Sequence, residues 1–242
     1  MKLFSSIKRR YFSSKCLYGD ACVNEGCEAF EVNNWILSDF VVKELLPVIG
    51  TRPFPLNELM LMTAAVCRLK PTHIFEWGTH VGKSARIFYE TCRCFGIDTE
   101  IHSIDLPADV EHAEHPGSDR GHLVKGLPKV FLHAGDGLTV ALDLLVNLDK
   151  KLVRPLFFVD GDHSHDSVRR ELAGILRHAP TASLLLHDTF GQSAGSGYNI
   201  GPFKALEEVL LAHPGRFEVL RQEQGLPGMT LLIKKCKKMA GP

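Results

Sequence analysis

The sequence lacks a surplus of charge of either sign. Its 28 lysines and arginines balance its 28 aspartates and glutamates, whereas a protein that binds the phosphate backbone of nucleic acid needs a basic excess. The sequence also lacks an apolar run close to the roughly 20 residues that a membrane-spanning helix requires. We therefore expect a protein that acts on neither nucleic acid nor membrane.

Cysteine pairs with a regular spacing are also missing. The chain has seven cysteines, and the cluster of Cys16, Cys22 and Cys27 lacks the Cys-x-x-Cys pairs that are typical of structural zinc sites. We interpret the cysteines as free thiols in a reducing compartment, which predicts the cytoplasm. A structural metal at this cluster is the alternative.

The first 19 residues contain no acidic side chain but five basic ones, namely Lys2, Lys8, Arg9, Arg10 and Lys15. A basic, serine-containing segment without acids is typical both of a surface arm and of a mitochondrial presequence. Both interpretations stay open, so mitochondrial targeting is the alternative to the cytoplasm.

The hydrophobic periodicity predicts an α/β fold. Residues 1–52 are interpreted as an N-terminal arm with a short helical cap, whose helix over 35–48 ends near Pro47, and apolar spacing predicts a further helix over 56–69. From residue 73, strands alternate with helices, which predicts a doubly wound, mostly parallel sheet of the Rossmann-like type over residues 53–242. The strands are predicted at 73–76, 100–105, 129–134, 155–160 and 182–188, and the helices over 83–95, 139–148, 167–177 and 203–212. Two last strands, at 217–221 and 229–234, are too close in sequence for a crossover helix, so we expect them to pair antiparallel.

A glycine-containing turn follows the first strand, and residues 76–84 read EWGTHVGKS. Gly78 allows a tight turn, and Gly82 lets a ligand approach the backbone where the helix begins. A Walker A loop is disfavoured because Trp77 stands where its first glycine is required, and Thr79 and His80 break the dinucleotide pattern G-x-G-x-x-G. A plain strand-to-helix turn is the remaining alternative.

Single acidic residues follow the next two strands. Asp105 ends the second strand, where an acidic side chain can accept hydrogen bonds from both hydroxyl groups of a ribose. Asp136 lies between two glycines after the third strand, where it can accept from the exocyclic amine of a flat ring. Asp136 is equally suited to cap the following helix, and the two roles are compatible.

The fourth and fifth strands end in polar clusters, DGDHSH at 160–165 and HDT at 187–189. Because adjacent strand ends lie at one edge of the sheet, we expect Asp160 and Asp188 to lie close together, as a pair of carboxylates suited to a hard divalent cation. His163 can instead act as a general base. The alternative is that Asp162 or Ser164 caps the next helix and that His163 supports the loop.

Together these motifs resemble those of class I S-adenosylmethionine-dependent methyltransferases. Within that class they are closest to the group that includes cephalosporin-hydroxylase-like and macrolide sugar O-methyltransferases. The resemblance covers about residues 56–235 and implies a Rossmann-like fold, S-adenosylmethionine as cofactor, and a methyltransferase domain over residues 53–242. It rests on Glu76-x-Gly78-x-x-x-Gly82-x-Ser84, Asp105, Gly135-Asp136-Gly137, residues 159–164 and residues 186–189.

The resemblance also implies roles for the matching residues. The methionine end of the cofactor would be lined by Glu76, Gly78 and Gly82, with Thr79, Ser84 and Asp160 beside them, while Asp105 would hold the ribose and Asp136 would lie by the adenine. Asp160 and Asp188 match positions at which related catechol-type and macrolide enzymes bind magnesium. Those enzymes often carry an acid or amide where this chain has His187, and histidine is a poor magnesium ligand but suits manganese better.

We therefore predict an O-methyltransferase that acts on a hydroxyl group of a small molecule and that forms a homo-oligomer. The predicted catalytic residues are His163 as the base, then His187, and Asp160, with magnesium or manganese as a further cofactor. The alternatives are a binding module with an inactive site and a dinucleotide-dependent oxidoreductase. Residues 107–122, otherwise a solvated loop, and residues 191–201 with Tyr198 are candidate substrate lids.

Overall fold

A computed structural model describes residues 18–22, 29–107, 109–110, 117–149, 152–193 and 195–235. Its seven strands form one sheet in the order β3-β2-β1-β4-β5-β7-β6, in which β1 to β5 are parallel. This arrangement confirms the predicted Rossmann-like fold. The strands are β1 (His73–Trp77), β2 (Glu100–Asp105), β3 (Val130–Ala134), β4 (Pro155–Val159), β5 (Ser183–His187), β6 (Phe217–Gln222) and β7 (Met229–Lys234).

Helices cover both faces of the sheet. They are α1 (Asn34–Phe40), α2 (Leu46–Ile49), α3 (Leu56–Leu69), α4 (Lys83–Phe95), α5 (Gly137–Val146), α6 (His165–His178) and α7 (Gly201–Ala212), with a π-helical segment (Val41–Leu45) joining the first two and a 3₁₀ turn (Gly117–Asp119) before β3. The buried side chains of α1 to α4 join one apolar cluster, and those of α5, α6 and α7 join a second cluster. The sheet therefore lies between two helical layers, as a doubly wound fold requires.

The two C-terminal strands pair antiparallel, as the sequence predicts. Strand β7 also pairs antiparallel with β5, so that it lies between β5 and β6. The amides of Thr189 and Phe190 donate to the carbonyls of Gly228 and Pro227, each at 3.1 Å. This insertion, which the sequence analysis did not predict, brings the loop before β7 to the end of β5.

The N-terminal helix continues through Pro47 and ends one residue after the predicted range of 35–48. Helical backbone continues to Ile49, and Gly50 ends it with a φ of 71°. A proline normally disrupts a helix because it lacks an N–H and its ring crowds the preceding turn. Here the turn before Pro47 is a π-helical segment in which the Leu46 N–H bonds to the Val41 carbonyl. We attribute the tolerance of Pro47 to this wider turn.

The helical cap shares its core with the sheet. Leu37, Phe40 and Leu45 are fully buried in the same apolar cluster as Phe88 of α4 and Ile101 of β2. The domain boundary at residue 52 stays a prediction.

Several predicted features lie outside the described residues. These are most of the basic segment 1–19, Cys16 and Cys27, and the histidine-rich centre of the loop 107–122. The described cysteines Cys22, Cys67 and Cys92 are free thiols. Among the described residues, no helix has both the length and the apolar character needed to cross a bilayer.

Candidate active site

The turn between β1 and α4 lies against the end of β4. Gly78 has a φ of 86°, a left-handed conformation that favours glycine, and a Cβ there would lie 2.2 Å from the carbonyl oxygen of Asp160. Gly82 has a φ of 90°, and a Cβ there would lie 2.9 Å from Cγ2 of Val124. Both positions therefore require glycine, and the predicted cofactor turn adjoins the predicted acidic cluster.

Glu76 is buried beneath this turn with one oxygen left for a ligand. Its Oε1 accepts a hydrogen bond of 2.5 Å from Ser103, whose hydroxyl lies 2.6 Å from that of Thr79. The other oxygen, Oε2, is buried and has no hydrogen-bond partner among the described residues. Burial raises the pKa of Glu76 to about 7. Such an oxygen is costly to bury without a donor, and the ammonium group of a methionine moiety is a suitable one. Ser84 is buried close by, in the first turn of α4.

Asp105 holds the glycine turn against β2. Its Oδ2 accepts from the amide of His80 and its Oδ1 from the amide of Leu106, each at 2.8 Å. This position at the end of β2 suits contact with a ribose, which stays a prediction.

Asp136 is the N-cap of α5, which confirms the capping interpretation. It accepts from the amide of Thr139 at 2.9 Å and pairs with Arg170 at 2.7 Å. Although burial opposes the shift, Arg170 and Thr139 lower the pKa of Asp136 to about 2. Gly137 lacks a side chain because a Cβ there would lie 2.5 Å from Trp77. The contact of Asp136 with adenine stays a prediction.

Four charged residues meet at the carboxyl ends of β4 and β5. Asp160, His187 and Asp188 bring potential ligand atoms within 4.8 Å of one another. His187 Nδ1 lies 2.9 Å from Asp160 Oδ1, and His163 Nδ1 lies 3.0 Å from Asp188 Oδ2. Asp188 has a φ of 58°, a strained conformation of the kind that concentrates at functional sites. The structure thus brings together the predicted catalytic and metal-ligating residues.

His163 is the histidine of this cluster that faces solvent. Its side chain is 35% exposed, and its Nε2 lies 3.6 Å from Asp160 Oδ1, beyond hydrogen-bond range. Asp160 and Asp188 together raise the pKa of His163 to about 10. At pH 7 the ring therefore carries a proton, and Nε2 is the atom able to exchange one with a bound molecule. Ser164 caps α6, as one of the alternatives predicts.

His187 bridges the buried carboxylate of Glu58 and the partly buried carboxylate of Asp160. Its Nδ1 contacts Asp160, and its Nε2 lies 3.1 Å from Oε2 of Glu58 in α3. Although burial opposes the shift, the charge of Asp160 and hydrogen bonds to Asp160 and Glu58 raise the pKa of His187 well above its ordinary value. Both nitrogens therefore carry protons, and each donates to a carboxylate. His187 is a fixed positive charge behind the site.

Two residues complete the site without having been predicted as part of it. Glu58 is 0% exposed, and its Oε1 accepts from the amide of Gly228 at 2.8 Å. An acid in the first turn of a helix is ordinary, so the sequence carried no signal for Glu58. Tyr198, noted only as part of a candidate lid, donates from its hydroxyl to Asp188 Oδ1 at 2.7 Å.

The sequence model of a methyltransferase domain family matches residues 75–189. This range begins in β1 and ends after β5, and it contains the glycine turn together with Asp160, His163, His187 and Asp188. Residues 75–189 are therefore similar to a methyltransferase domain.

Solved methyltransferase structures share the fold over about four fifths of this chain. An O-methyltransferase from Bacillus cereus, in complex with S-adenosylhomocysteine, has a TM-score of 0.52 and 14% identity, over 82% of this chain and 90% of that chain. TomG from Streptomyces achromogenes, an O-methyltransferase in complex with S-adenosylmethionine, has a TM-score of 0.51 and 18% identity, over 83% and 88%. A TDP-rhamnose 3′-O-methyltransferase of calicheamicin biosynthesis has a TM-score of 0.52 and 16% identity, over 81% and 86%. No curated protein matches the sequence at a significant level.

The cluster at the ends of β4 and β5 is the predicted site of a divalent cation, and its histidine contacts limit the ligand atoms that are free. Both nitrogens of His187 are hydrogen-bonded to carboxylates, so neither offers a lone pair to a metal. A cation would have only the oxygens of Asp160 and Asp188, each of which already pairs with a histidine. A cation at this place would have to displace at least one of these histidine contacts, and magnesium or manganese at Asp160 and Asp188 stays a prediction.

Proposed function

We propose that the protein transfers the methyl group of S-adenosylmethionine to a hydroxyl oxygen of a small molecule. The observation that carries this proposal is the position of the acid–histidine cluster directly beside the glycine turn of the methyltransferase domain. Asp160 joins the two, because its carbonyl packs on Gly78 while its carboxylate contacts His187. Methylation of a hydroxyl group requires a base close to the cofactor, because the base positions the acceptor and removes its proton. Sugar methylation by a protein of the same fold, the TDP-rhamnose enzyme, supports this substrate class.

The residues of the turn fit the cofactor. S-adenosylmethionine supplies an electrophilic methyl group on a sulfonium. The unpartnered Oε2 of Glu76 would accept a hydrogen bond from the ammonium group of the cofactor, and Gly78 and Gly82 would leave room for the cofactor along the backbone. Thr79 and Ser84 line the same turn. Asp105 and Asp136 face the ribose and the adenine in this proposal.

His163 is the base in this proposal. Asp188 holds Nδ1 of the ring, and Tyr198 in turn holds Asp188, which leaves Nε2 to take the hydroxyl proton. In many enzymes, a carboxylate orients the histidine that removes the proton from a nucleophilic hydroxyl group. Because the pKa of His163 is about 10, its neutral form is scarce at pH 7. The rate should therefore rise with pH toward about 10.

Asp160 and His187 support this proton transfer. Although burial opposes the shift, His187 and His163 lower the pKa of Asp160 and keep it ionised. Its carboxylate lies 3.6 Å from His163 Nε2 and stabilises the imidazolium that forms when His163 takes the proton.

The test is to incubate the untagged protein with isotopically labelled S-adenosylmethionine and a metabolite extract in the presence of a chelator. We expect label on an oxygen atom, located by mass spectrometry, and a much lower yield with His163→Gln. Asp143→Asn, an exposed residue of α5, is the matched control. Label on nitrogen or carbon, or activity that returns only when magnesium or manganese is added, would contradict the proposal.

The binding-module alternative makes a different prediction. In that case S-adenosylhomocysteine binds, no acceptor is labelled, and Asp160→Ala and His163→Ala leave cellular function intact. A cytoplasmic location, a homo-oligomeric state and the lack of nucleic-acid binding stay predictions from the sequence.

A further inference from the structure

Three histidines and a glutamate form a second polar cluster at the amino-terminal edge of the sheet. His73 begins β1 and Glu100 begins β2, and the two residues are paired in register. His102 follows two residues later on the same face, and His133 lies on β3. The active site lies at the carboxyl ends of the strands, about 13 Å away along β1 at roughly 3.3 Å per residue. The cluster is therefore separate from methyl transfer.

The distances in this cluster suit a metal ion better than an ion pair. Nε2 of His73 and Nε2 of His102 each lie 3.7 Å from Oε2 of Glu100, and the three ligand atoms lie within 4.8 Å of one another. A separation of 3.7 Å is too long for a hydrogen bond. It is close to the roughly 3.4 Å expected between ligand atoms on a tetrahedral zinc ion with bonds of about 2.0–2.1 Å.

His102 has a buried nitrogen that lacks a partner. The residue is 8% exposed, and its Nε2 makes no hydrogen bond within the described part of the chain. Its Nδ1 lies 3.1 Å from Nε2 of His133. When His102 donates in this pair, its Nε2 carries a lone pair beside Glu100. The opposite tautomer would bury an N–H without an acceptor, which folded proteins rarely tolerate.

The second ring nitrogen of His73 also lies beside a polar group. Its Nδ1 lies 3.0 Å from the hydroxyl of Thr72, and metal-bound histidines usually hydrogen-bond through their second nitrogen. At 3.7 Å from Glu100, neither ring is held by a hydrogen bond to its carboxylate, so each Nε2 faces the centre of the cluster without a hydrogen bond.

We propose that His73, Glu100 and His102 bind a divalent transition-metal ion, with zinc as the best match to two imidazoles and one carboxylate. The side chain of Glu100 is 46% exposed, which gives the ion a path from solvent and leaves room for a water ligand. The ion would link β1 to β2 at the end of the sheet opposite the active site. Its role would be to stabilise the fold, so the proposal does not depend on the proposed methyl transfer.

The test is a titration of the untagged full chain with zinc by calorimetry, together with its melting temperature. Glu100→Gln and His73→Gln are the site variants, and Asp188→Asn is the control for the other cluster. We expect one zinc ion per chain and a zinc-dependent rise in melting temperature. Either site variant should lose at least about ten-fold in affinity and lose this rise, whereas Asp188→Asn should keep both.

Three outcomes would overturn the proposal. These are a wild-type chain that binds no zinc, site variants that bind zinc as the wild type does, and zinc binding that only Asp188→Asn removes. Because Glu100 is partly exposed, Glu100→Gln should fold normally, and its circular dichroism checks this. Cobalt in place of zinc should give the visible absorption of a tetrahedral complex in the wild type alone.

Discussion

Glu58→Gln removes the charge that faces His187 but keeps the shape of the side chain. In the wild type, the buried carboxylate accepts from His187 Nε2 and from the amide of Gly228. The glutamine oxygen can still accept from Gly228, but its amino group meets His187, whose ring must then give up a proton. Hydrogen bonds to charged groups contribute about 1.5–3 kcal/mol, so we expect the free energy of unfolding to fall by about 2 kcal/mol. Glu58→Ala removes one of the two carboxylates that pair with the buried imidazolium, leaves its Nε2 without an acceptor and should cost about 3–5 kcal/mol.

Urea denaturation measures this effect. With a denaturant dependence of about 2–3 kcal/mol per molar urea, Glu58→Gln should lower the midpoint by about 1 M, and Asp143→Asn should leave it unchanged. We also expect kcat to fall about ten-fold with an unchanged KM for S-adenosylmethionine, because Glu58 contacts His187 and not the glycine turn. An alanine variant that unfolds at the same urea concentration as the wild type would refute the buried ion pair.

Three further predictions concern Gly78, His102 and Tyr198. Gly78→Ala should lower the affinity for S-adenosylhomocysteine, measured by calorimetry, more than ten-fold, because the added Cβ would lie 2.2 Å from a carbonyl oxygen. Gly195→Ala is the control and should bind as the wild type does, because its added Cβ would have no atom within 4 Å. In zinc-free buffer, the unfolded chain takes up a proton at His102 below pH 6.5 and the folded chain only near its pKa of about 4. The free energy of unfolding should therefore fall by about 3 kcal/mol as the pH is lowered from 6.5 to about 4. Urea denaturation at several pH values measures this fall as a lower midpoint. The dependence of the midpoint on pH should be weaker in His102→Gln. Tyr198→Phe removes the hydrogen bond to Asp188 and should lower kcat/KM for the acceptor about ten-fold. Steady-state kinetics with an unchanged kcat/KM would show that Tyr198 does not support Asp188 in the reaction.

Most of the fold could be predicted from the sequence because each strand has a short apolar pattern and each crossover a helical one. Helix α3 begins and ends at the predicted residues, and α5 and α6 begin two residues earlier than predicted because Asp136 and Ser164 cap them. The insertion of β7 between β5 and β6 could not be predicted, because periodicity describes one strand at a time and does not say which strand it pairs with.

The candidate site was predictable where it depends on strand ends and not where it depends on packing. Asp160, His163, His187 and Asp188 follow two adjacent parallel strands, so topology alone brings them together. Glu58 reaches His187 from a helix 129 residues away in sequence, a contact that no local pattern records. The hydrogen bonding of His187 through both nitrogens, to Asp160 and Glu58, also becomes visible only in three dimensions.

Binding of S-adenosylhomocysteine to the wild-type chain, measured by titration calorimetry, tests the proposed use of S-adenosylmethionine most directly. The orphaned Oε2 of Glu76 and the glycine turn beside it predict a micromolar dissociation constant, equivalent to roughly −7 to −8 kcal/mol. A nicotinamide dinucleotide should give no heat under the same conditions. No heat with S-adenosylhomocysteine, together with clear binding of the dinucleotide, would contradict the account and favour an oxidoreductase.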